Sequence, residues 1–298
     1  MIGRSLFFSL LAINLSIGPA LARCEDHVPQ PNPQNAGRDI VGADLDTIIE
    51  RGYIEFAAYE DFVPWSYEES GEIKGVDIDI GRLIAEDLGV EARFNLIAAG
   101  ENLEADLRNW IWKGSLINGR VANVMLHIPY DSEFACRVEQ VVFTGQYHNE
   151  EISIAFRRDA YPDTPPVPAY FQFDTVAVEN DSIADFYLSS FPGGQLAQNV
   201  RRFPTAVRAM EALAAGETMA AMAPRAQLEA GLTPELDIHT PHLPGFSVST
   251  WTSGVAVHFS YRGLSYAVDD AIYAGLQDGR IRAIFENHRL THSPPELR

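Results

Sequence analysis

Hydrophobic residues in the first half of the chain follow two spacings, one typical of helices and one of strands. From Ile78 to Leu88 they recur with a largely helical period that ends at Gly89, which predicts a helix closed by a glycine. A second helical stripe runs from Leu103 to Ile111. Short apolar runs predict strands at residues 53–58, 92–97 and 123–127. This β-α-β-α-β order is typical of an open α/β sheet.

A second α/β pattern follows a connector, residues 159–168, that contains four prolines. Thr205 is placed to cap a helix that ends at Gly216. The remaining predicted elements are strands at residues 175–178 and 218–223, extended runs at 151–156 and 253–259, and closing helices near 264–276 and 280–287. If both extended runs cross between the two units, the closing helices return to the first unit.

The N-terminus has the layout of a cleaved secretory signal peptide at residues 1–22. One Arg precedes an apolar run that is too short to span a membrane, and a small-residue site ends at Ala22. A flexible leader is expected at residues 23–40, and the mature protein is expected in the periplasm. That compartment permits a disulfide between Cys24 and Cys136, and two unpaired thiols are the equal alternative.

The charge of the chain excludes several kinds of partner. The formal net charge is −19, and it becomes −20 without residues 1–22, which contain one Arg and no acid. Residues 42–88 carry 13 Asp and Glu against 3 Lys and Arg. Nucleic acid and anionic membrane surfaces are therefore not expected partners, and no membrane insertion is expected after signal cleavage. The acidic stretch is either a docking face for a basic partner or a solubility feature.

Motifs for catalysis, cofactors and metals are missing from the sequence. We find no Gly-rich phosphate loop, no GxSxG and no HExxH. The pairs His239/His242 and His288/His292 have usable spacing but no further ligands nearby, and zinc needs three or four. We therefore expect neither a cofactor nor a metal, and a binding protein rather than an enzyme.

Several ordered stretches resemble family 3 of the bacterial extracytoplasmic solute-binding proteins. The stretch at residues 75–89, GVDIDIGRLIAEDLG, resembles the family signature most closely. Weaker matches lie at residues 45–64, 175–188, 216–228 and 270–287. The resemblance implies an α/β fold of two lobes joined by two hinge crossovers, with a cleft for a small molecule between the lobes. It implies a first lobe at residues 41–151, a second at 152–256, and a return to the first at 257–298.

The resemblance also suggests which ligand to exclude. Members that bind α-amino acids hold the carboxylate with an Arg and the ammonium with an Asp. Phe134 and Pro224 fall at about those two positions, although Arg137 lies close enough to substitute for the Arg. An uncompensated buried carboxylate is costly, so we expect a ligand that is not an ordinary α-amino acid.

Ten residues that follow predicted strands are candidates for ligand contact. The aromatic residues either form a wall for a ligand or pack a long loop. His127 and Asp131 either contact a ligand as a polar pair or have structural roles. Residues 180–182 either present a helix N-terminus to an anionic group of the ligand or simply cap that helix. The candidates are Tyr59, Asp61, Phe62, Trp65, His127, Tyr130, Asp131, Asn180, Asp181 and Ser182.

A second resemblance suggests a different partner. Residues 106–114 and 124–129 are similar to solute-binding-like proteins associated with periplasmic quinoprotein alcohol dehydrogenases, such as the J proteins of methanol oxidation. On an α-helix, Trp112 faces away from Leu103, which predicts an exposed partner contact unless another segment covers it. Three functions remain open: a binding protein for an ABC permease, an accessory protein of a quinoprotein dehydrogenase or its cytochrome, and, third, a dehydratase-like enzyme that uses His127 and Asp131.

Overall fold

The computed structural model describes Cys24, Val28 and residues 37–115 and 119–296. The predicted signal peptide and most of the predicted leader lie outside these residues. Cys24 and Cys136 form a disulfide bond, with 5.5 Å between their Cα atoms, which decides between the two alternatives left open by the sequence. Within the described residues, no helix is both long and apolar enough to cross a membrane.

The first group of elements is built on three parallel strands in the order β4-β1-β5. Asp44 caps the first helix by accepting a hydrogen bond from the Thr47 backbone N–H, and Gly52 ends that helix with a left-handed φ of 77°. The elements are α1 (Leu45–Arg51), β1 (Tyr53–Tyr59), the hairpin strands β2 (Tyr67–Glu69) and β3 (Glu72–Lys74), α2 (Val76–Asp87), β4 (Glu91–Ile97), α3 (Leu103–Leu107), β5 (Val124–Tyr130) and α4 (Ser132–Arg137).

Two long antiparallel strands, β6 (Val141–Arg157) and β11 (Thr250–His258), continue the sheet beyond β5. The N-terminal part of β6 pairs with β11, and its C-terminal part pairs with strands of a second group. The second group contains the parallel strands β7 (Val176–Glu179), β8 (Val200–Phe203) and β9 (Ala220–Pro224), the edge strand β10 (Leu236–His239), and the helices α5 (Ile183–Ser189), α6 (Ala206–Ala214) and α7 (Arg225–Ala230).

The closing helices pack on the first group of strands. α8 (Arg262–Asp278) contacts β6 and α2, and α9 (Arg280–Asn287) contacts α8 and α2. Four clusters of buried side chains fill the interior, two on the first group and two on the second. Each group of parallel strands is packed against helices, as is usual for parallel strands. This arrangement is the two-lobe α/β fold predicted from the sequence.

The segment after α9 bridges the crossing strand and the second group. Asn149 N donates to Ser293 O at 2.7 Å, and His292 Nε2 lies 2.8 Å from Tyr147 O. Thr291 N donates to Glu229 Oε2, on α7, at 2.7 Å. Residues 291–294 therefore tie strand β6 to a helix of the second lobe.

The prediction that Trp112 is exposed was wrong. Its exposed fraction is 0%, and it packs with Leu107 and Ile111 in one cluster. Residues Arg108–Trp112 form a π-helical turn, in which hydrogen bonds join residues five apart, as Lys113 N and Arg108 O show. The turn carries Trp112 round to the face of Leu107, whereas an α-helical period places it on the outside. Ile40 N donates to Trp112 O, so the chain before α1 crosses here.

Other predicted elements differ in extent. Strand β6 begins ten residues before the predicted run at 151–156. Its first part was not predicted, because it lacks a regular apolar alternation. Strands β8 and β10 were not predicted, since their sequences, VRRF and LDIH, interrupt the apolar run with charged residues, whereas the equally short β7 is apolar over three of its four residues. The predicted helix at 280–287 coincides with α9.

Candidate functional site

The carboxyl ends of the two sets of parallel strands face each other across the crossing strands. Tyr130, the last residue of β5, lies opposite Thr252 of β11, which lies opposite Asn149 of β6. Pro224, the last residue of β9, lies opposite Ile152 of β6. Three residues of an extended strand separate Asn149 from Ile152, about 10 Å. Ligands of open α/β sheets bind at such carboxyl ends, so this is the candidate site.

The loop after β1 folds its aromatic residues onto the start of α2. Phe62 N donates to Ser66 O at 2.8 Å, and Asp77 N donates to Trp65 O at 2.9 Å. The rings of Tyr59 and Phe62 meet edge to face, with centroids 6.2 Å apart. Phe62 is half-buried and remains able to touch a ligand, whereas Trp65 is buried and packs against the ring of His127.

Tyr59 is fixed by a buried carboxylate. Its hydroxyl donates to Asp106 Oδ2 at 2.9 Å, and Gly100 N donates to Asp106 Oδ1. Burial, and next the negative charge of Asp106, raise the pKa of the Tyr59 hydroxyl well above its ordinary value. Tyr59 therefore presents a neutral phenol ring at the end of β1.

His127 occupies an irregular position in β5. Its φ is 56°, in the left-handed region that few non-glycine residues adopt, and the pairing with β11 shifts register between Gly254 and Ala256. Its ring lies 5.0 Å from the ring of Phe62 and 4.4 Å from that of Trp65, centroid to centroid. Strained backbone of this kind concentrates at functional sites.

Asp77 holds the His127 ring from the side of α2. His127 Nδ1 lies 3.2 Å from Asp77 Oδ2, and the Tyr147 hydroxyl donates to Asp77 Oδ1 at 2.6 Å. Asp77 is 1% exposed, and the contact to Nδ1 leaves Oδ2 without an aligned hydrogen bond. The other ring nitrogen of His127, Nε2, has no partner among the described residues and is not fully enclosed.

Asp77 was missed as a site residue, although the sequence carried a signal. It lies four residues before Gly81 and seven before Ile84, on the buried stripe of α2. A carboxylate within an apolar stripe is unusual enough to indicate a partner in the core. Of the two alternatives left open for Asp131, the structure shows the cap, since Asp131 begins α4 by accepting from Phe134 N at 2.6 Å.

Replacing Asp77 with Asn is expected to lower the free energy of unfolding by about 1–3 kcal/mol, because an amide NH2 in place of Oδ2 is a donor that would lie 3.2 Å from His127 Nδ1, and the attraction of the carboxylate would be lost. Asp79→Asn, two residues further along α2, is the matched control. Asp79 is more exposed than Asp77 and pairs with Arg82 and His288, and we expect a loss of about 1 kcal/mol. Urea denaturation of both variants gives the comparison, and equal losses would contradict the buried role of Asp77.

The candidates on the second lobe act mainly as caps. Ser182 accepts from Asp185 N at the start of α5, and Asn180 Nδ2 donates to Asp181 Oδ2 at 2.6 Å. Asp181 has a left-handed φ of 59°. These residues lie at the carboxyl end of β7, as expected. Their side chains are engaged with one another and with α5.

A second polar cluster, missed by sequence reasoning, lies behind Trp65 where β6 meets α7. His148 stacks on Phe285, with ring centroids 4.6 Å apart, and accepts from Ser293 N through Nδ1. Burial lowers the pKa of His148 to about 3 and raises the pKa of Glu150 to about 7. Glu150 is 2% exposed, and its Oε2 has no partner among the described residues. This cluster borders a cavity of about 430 Å³ beside Arg225.

The described residues contain no group of three or more His, Cys, Asp and Glu side chains that could hold a metal ion. His288 instead lies 2.8 Å from Asp79 Oδ2, and His239 Nε2 lies 2.6 Å from Pro166 O. Each of these two His side chains therefore makes a structural contact within the described part of the chain.

Comparison with known proteins gives a family and a fold. A profile of the bacterial extracellular solute-binding proteins, family 3, matches residues 54–291. No curated protein matches the chain. Among solved structures, an ancestral cationic amino acid solute-binding protein has a TM-score of 0.68 at 18% identity, over 82% of this chain and 99% of its own.

Two further structures are similar in fold. The P235GK mutant of the arginine-binding protein ArgBP from T. maritima has a TM-score of 0.57 at 23% identity, over 82% of this chain and 97% of its own. An arginine-bound amino acid ABC transporter substrate-binding protein from Streptococcus pneumoniae has a TM-score of 0.59 at 18% identity, over 85% and 100%. At these identities the likeness shows the fold alone.

Proposed function

Because the chain belongs to the bacterial extracellular solute-binding proteins, family 3, we propose that it holds a small organic ligand between its lobes, at the facing ends of β5 and β9. In this proposal the protein is exported through residues 1–22, cleaved near Ala22, and works in the periplasm. The lobes comprise residues 41–151 with 257–298, and residues 152–256. Strands β6 and β11 act as the hinge. β6 passes from the first group of strands to the second, and β11 pairs with it.

One observation carries the proposal: an aromatic and imidazole surface lies at the end of β5, held by a buried carboxylate and still open at His127 Nε2. A buried polar atom normally finds a hydrogen-bond partner. Phe62 and His127 are therefore the proposed primary contacts, with Tyr59, Asp61, Tyr130 and Asp131 around them. Asn180, Asp181 and Ser182 face them from the second lobe.

The ligand is proposed to be other than an ordinary α-amino acid. The side chain of Phe134 packs on Phe143, with ring centroids 5.6 Å apart, and supplies no cation. Pro224 ends β9 without a carboxylate. Arg225 follows it, but its guanidinium lies 2.8 Å from Glu229 Oε1 and 3.2 Å from Glu151 Oε1. The two charged anchors of an amino-acid site are therefore not provided at these positions.

The proposed partner in transport is an ABC permease. The alternative of an accessory protein for a quinoprotein dehydrogenase now rests on the sequence resemblance of residues 106–114 and 124–129. Trp112, its proposed contact, is buried. The dehydratase-like alternative has weaker support, because the carboxylate that contacts the His127 ring is Asp77, whereas Asp131 uses Oδ1 to cap α4.

A ligand from a screened metabolite set is expected to raise the melting temperature by roughly 5–10 °C at 100 times its Kd, which corresponds to about 2.7 kcal/mol. Replacing Phe62 with Ala should weaken the affinity by about tenfold, because the ring supplies contact area at the site. Phe173→Ala is the matched control, since Phe173 is 82% exposed and precedes the opposite end of β7. Calorimetric titration of the three proteins tests this, and equal affinities would place the ligand elsewhere.

A further inference from the structure

We propose that the ligand is a small organic amine that carries no carboxylate, with its ammonium group bound beside Phe62 and His127. This inference rests on the proposed function and names the chemical class of its ligand. Two independent observations support it: exposed carboxylates at the strand ends, and the open ring nitrogen Nε2 of His127.

The ends of three strands carry exposed carboxylates. Glu60 and Asp61 follow β1, Asp131 follows β5, and Asp181 follows β7. None of the four forms an ion pair within the described part of the chain. Asp131 and Asp181 each use one oxygen in a local hydrogen bond, which leaves the other oxygen and the charge available. A cleft lined by one sign of charge concentrates ligands of the opposite sign.

The nearby cations do not offset these carboxylates. Arg225 is engaged by Glu151 and Glu229, and Arg202 lies 2.9 Å from Asp185 Oδ2. Arg137 lies at the far end of α4, about 9 Å along the helix axis from Asp131, and its guanidinium lies over the Phe134 ring. A carboxylate on the ligand would therefore meet repulsion at the strand ends, where the guanidinium groups of Arg202 and Arg225 are already paired with carboxylates.

The His127 ring points to a hydrogen-bond donor on the ligand. Nδ1 lies 3.2 Å from the Asp77 carboxylate, which accepts hydrogen bonds, so the neutral tautomer with its proton on Nδ1 fits this contact. Tyr147 donates to the same carboxylate, which confirms Asp77 as the acceptor. In this tautomer Nε2 presents a lone pair to which no described residue donates, on a side chain that is nine-tenths buried. An ammonium N–H satisfies it.

The aromatic ring beside His127 suits the same group. Phe62 is half-buried, and its ring lies 5.0 Å from the imidazole, so a cation that donates to Nε2 lies within reach of the ring. Cations bind favourably near aromatic rings within about 6 Å. One ammonium group can thus use the lone pair of Nε2, the ring of Phe62 and the field of Asp61.

The test compares amines with the amino acids that differ from them by one carboxylate. The pairs are agmatine and arginine, cadaverine and lysine, tyramine and tyrosine, and histamine and histidine. Calorimetric titration of the mature protein is expected to show at least one amine binding at least tenfold more tightly than its amino acid. Its affinity should fall severalfold as NaCl rises from 20 to 500 mM, because exposed carboxylates are screened. An amino acid that binds as tightly as its amine, or a panel in which no amine binds, overturns the proposal.

Two variants separate a charge effect from a folding defect. Asp61→Asn keeps a side chain that tolerates the left-handed φ of 52° at this position, and it should weaken the amine three- to tenfold. Asp163→Asn removes an exposed carboxylate from the connector beyond β6 and should leave the affinity unchanged. Equal effects of the two variants would show that only net charge matters and would overturn the local assignment.

Native mass spectrometry of the protein after exposure to a periplasmic extract tests the amine ligand separately from the proposed solute-binding function. A bound amine supports both. A bound neutral or carboxylate-bearing molecule overturns the amine while leaving solute binding intact. An empty protein, together with no binding in the titrations, overturns both.

Discussion

Replacing Trp112 with Ala is expected to lower the free energy of unfolding by about 3–5 kcal/mol, the range for removing a large aromatic side chain from a core. Trp112 is 0% exposed and packs with Leu107, Ile111 and Met125 in one cluster. The π-helical turn that places it there leaves little room for neighbours to fill the cavity, since the chain before α1 is fixed to Trp112 O through Ile40 N. Urea denaturation followed by circular dichroism measures the loss.

Trp112→Phe is the matched control for this prediction. The indole Nε1 of Trp112 has no partner among the described residues, so Phe removes an unsatisfied donor while keeping much of the apolar volume. We expect a smaller loss than for Ala. If Trp112→Ala left the stability near that of the wild type, the side chain would be a surface residue, and the hypothesis of a partner contact would return.

Replacing Glu150 with Gln is expected to raise the free energy of unfolding by about 3 kcal/mol at pH 8 and by much less at pH 5. The pKa of Glu150 rises from 4.5 to about 7, first because of its burial. The folded state therefore binds the proton more tightly than the unfolded state. The penalty for ionising Glu150 in the core is absent below about pH 4.5, grows as the pH rises towards 7, and is complete above it. Gln carries no such penalty.

The comparison between Glu150→Gln and the wild type must be made at each pH, because His148 titrates in the opposite sense. Its pKa falls from 6.5 to about 3 on burial, so its contribution to stability is lost as the pH falls below 6.5. This contribution is common to both proteins and cancels in their difference. A difference that is equal at pH 5 and pH 8, or a variant less stable at pH 8, would contradict the buried ionisation.

Elements with a regular period were predictable from the sequence, and elements that break a period were not. The apolar stripe from Ile78 to Leu88 predicted the helix found as α2, and the helix predicted at residues 280–287 is α9. The alternation of β6 is interrupted at Gly145, where φ is 56° and the pairing with β11 shifts register between Ser253 and Val255. The π-helical turn at Arg108–Trp112 shifts the phase of the helix, and nothing in the residue types marks that shift.

Only the part of the candidate site that follows regular strands was predicted from the sequence. Phe62, Trp65 and His127 follow predicted strands, and the structure brings them together. Asp77 and Glu150 were missed, because charged residues are normally exposed, and burial of a carboxylate depends on partners distant in sequence. Tyr147, the partner of Asp77, lies seventy residues away from it.

The segment at residues 291–294 affects how the protein can be labelled. It pairs with Asn149 on the proposed hinge and with Glu229 on the second lobe. A fluorescent protein fused behind it would therefore be coupled to the closure of the lobes that we propose, which suits a biosensor for the proposed ligand. An affinity tag in the same place would perturb the contacts of the proposed hinge strand β6.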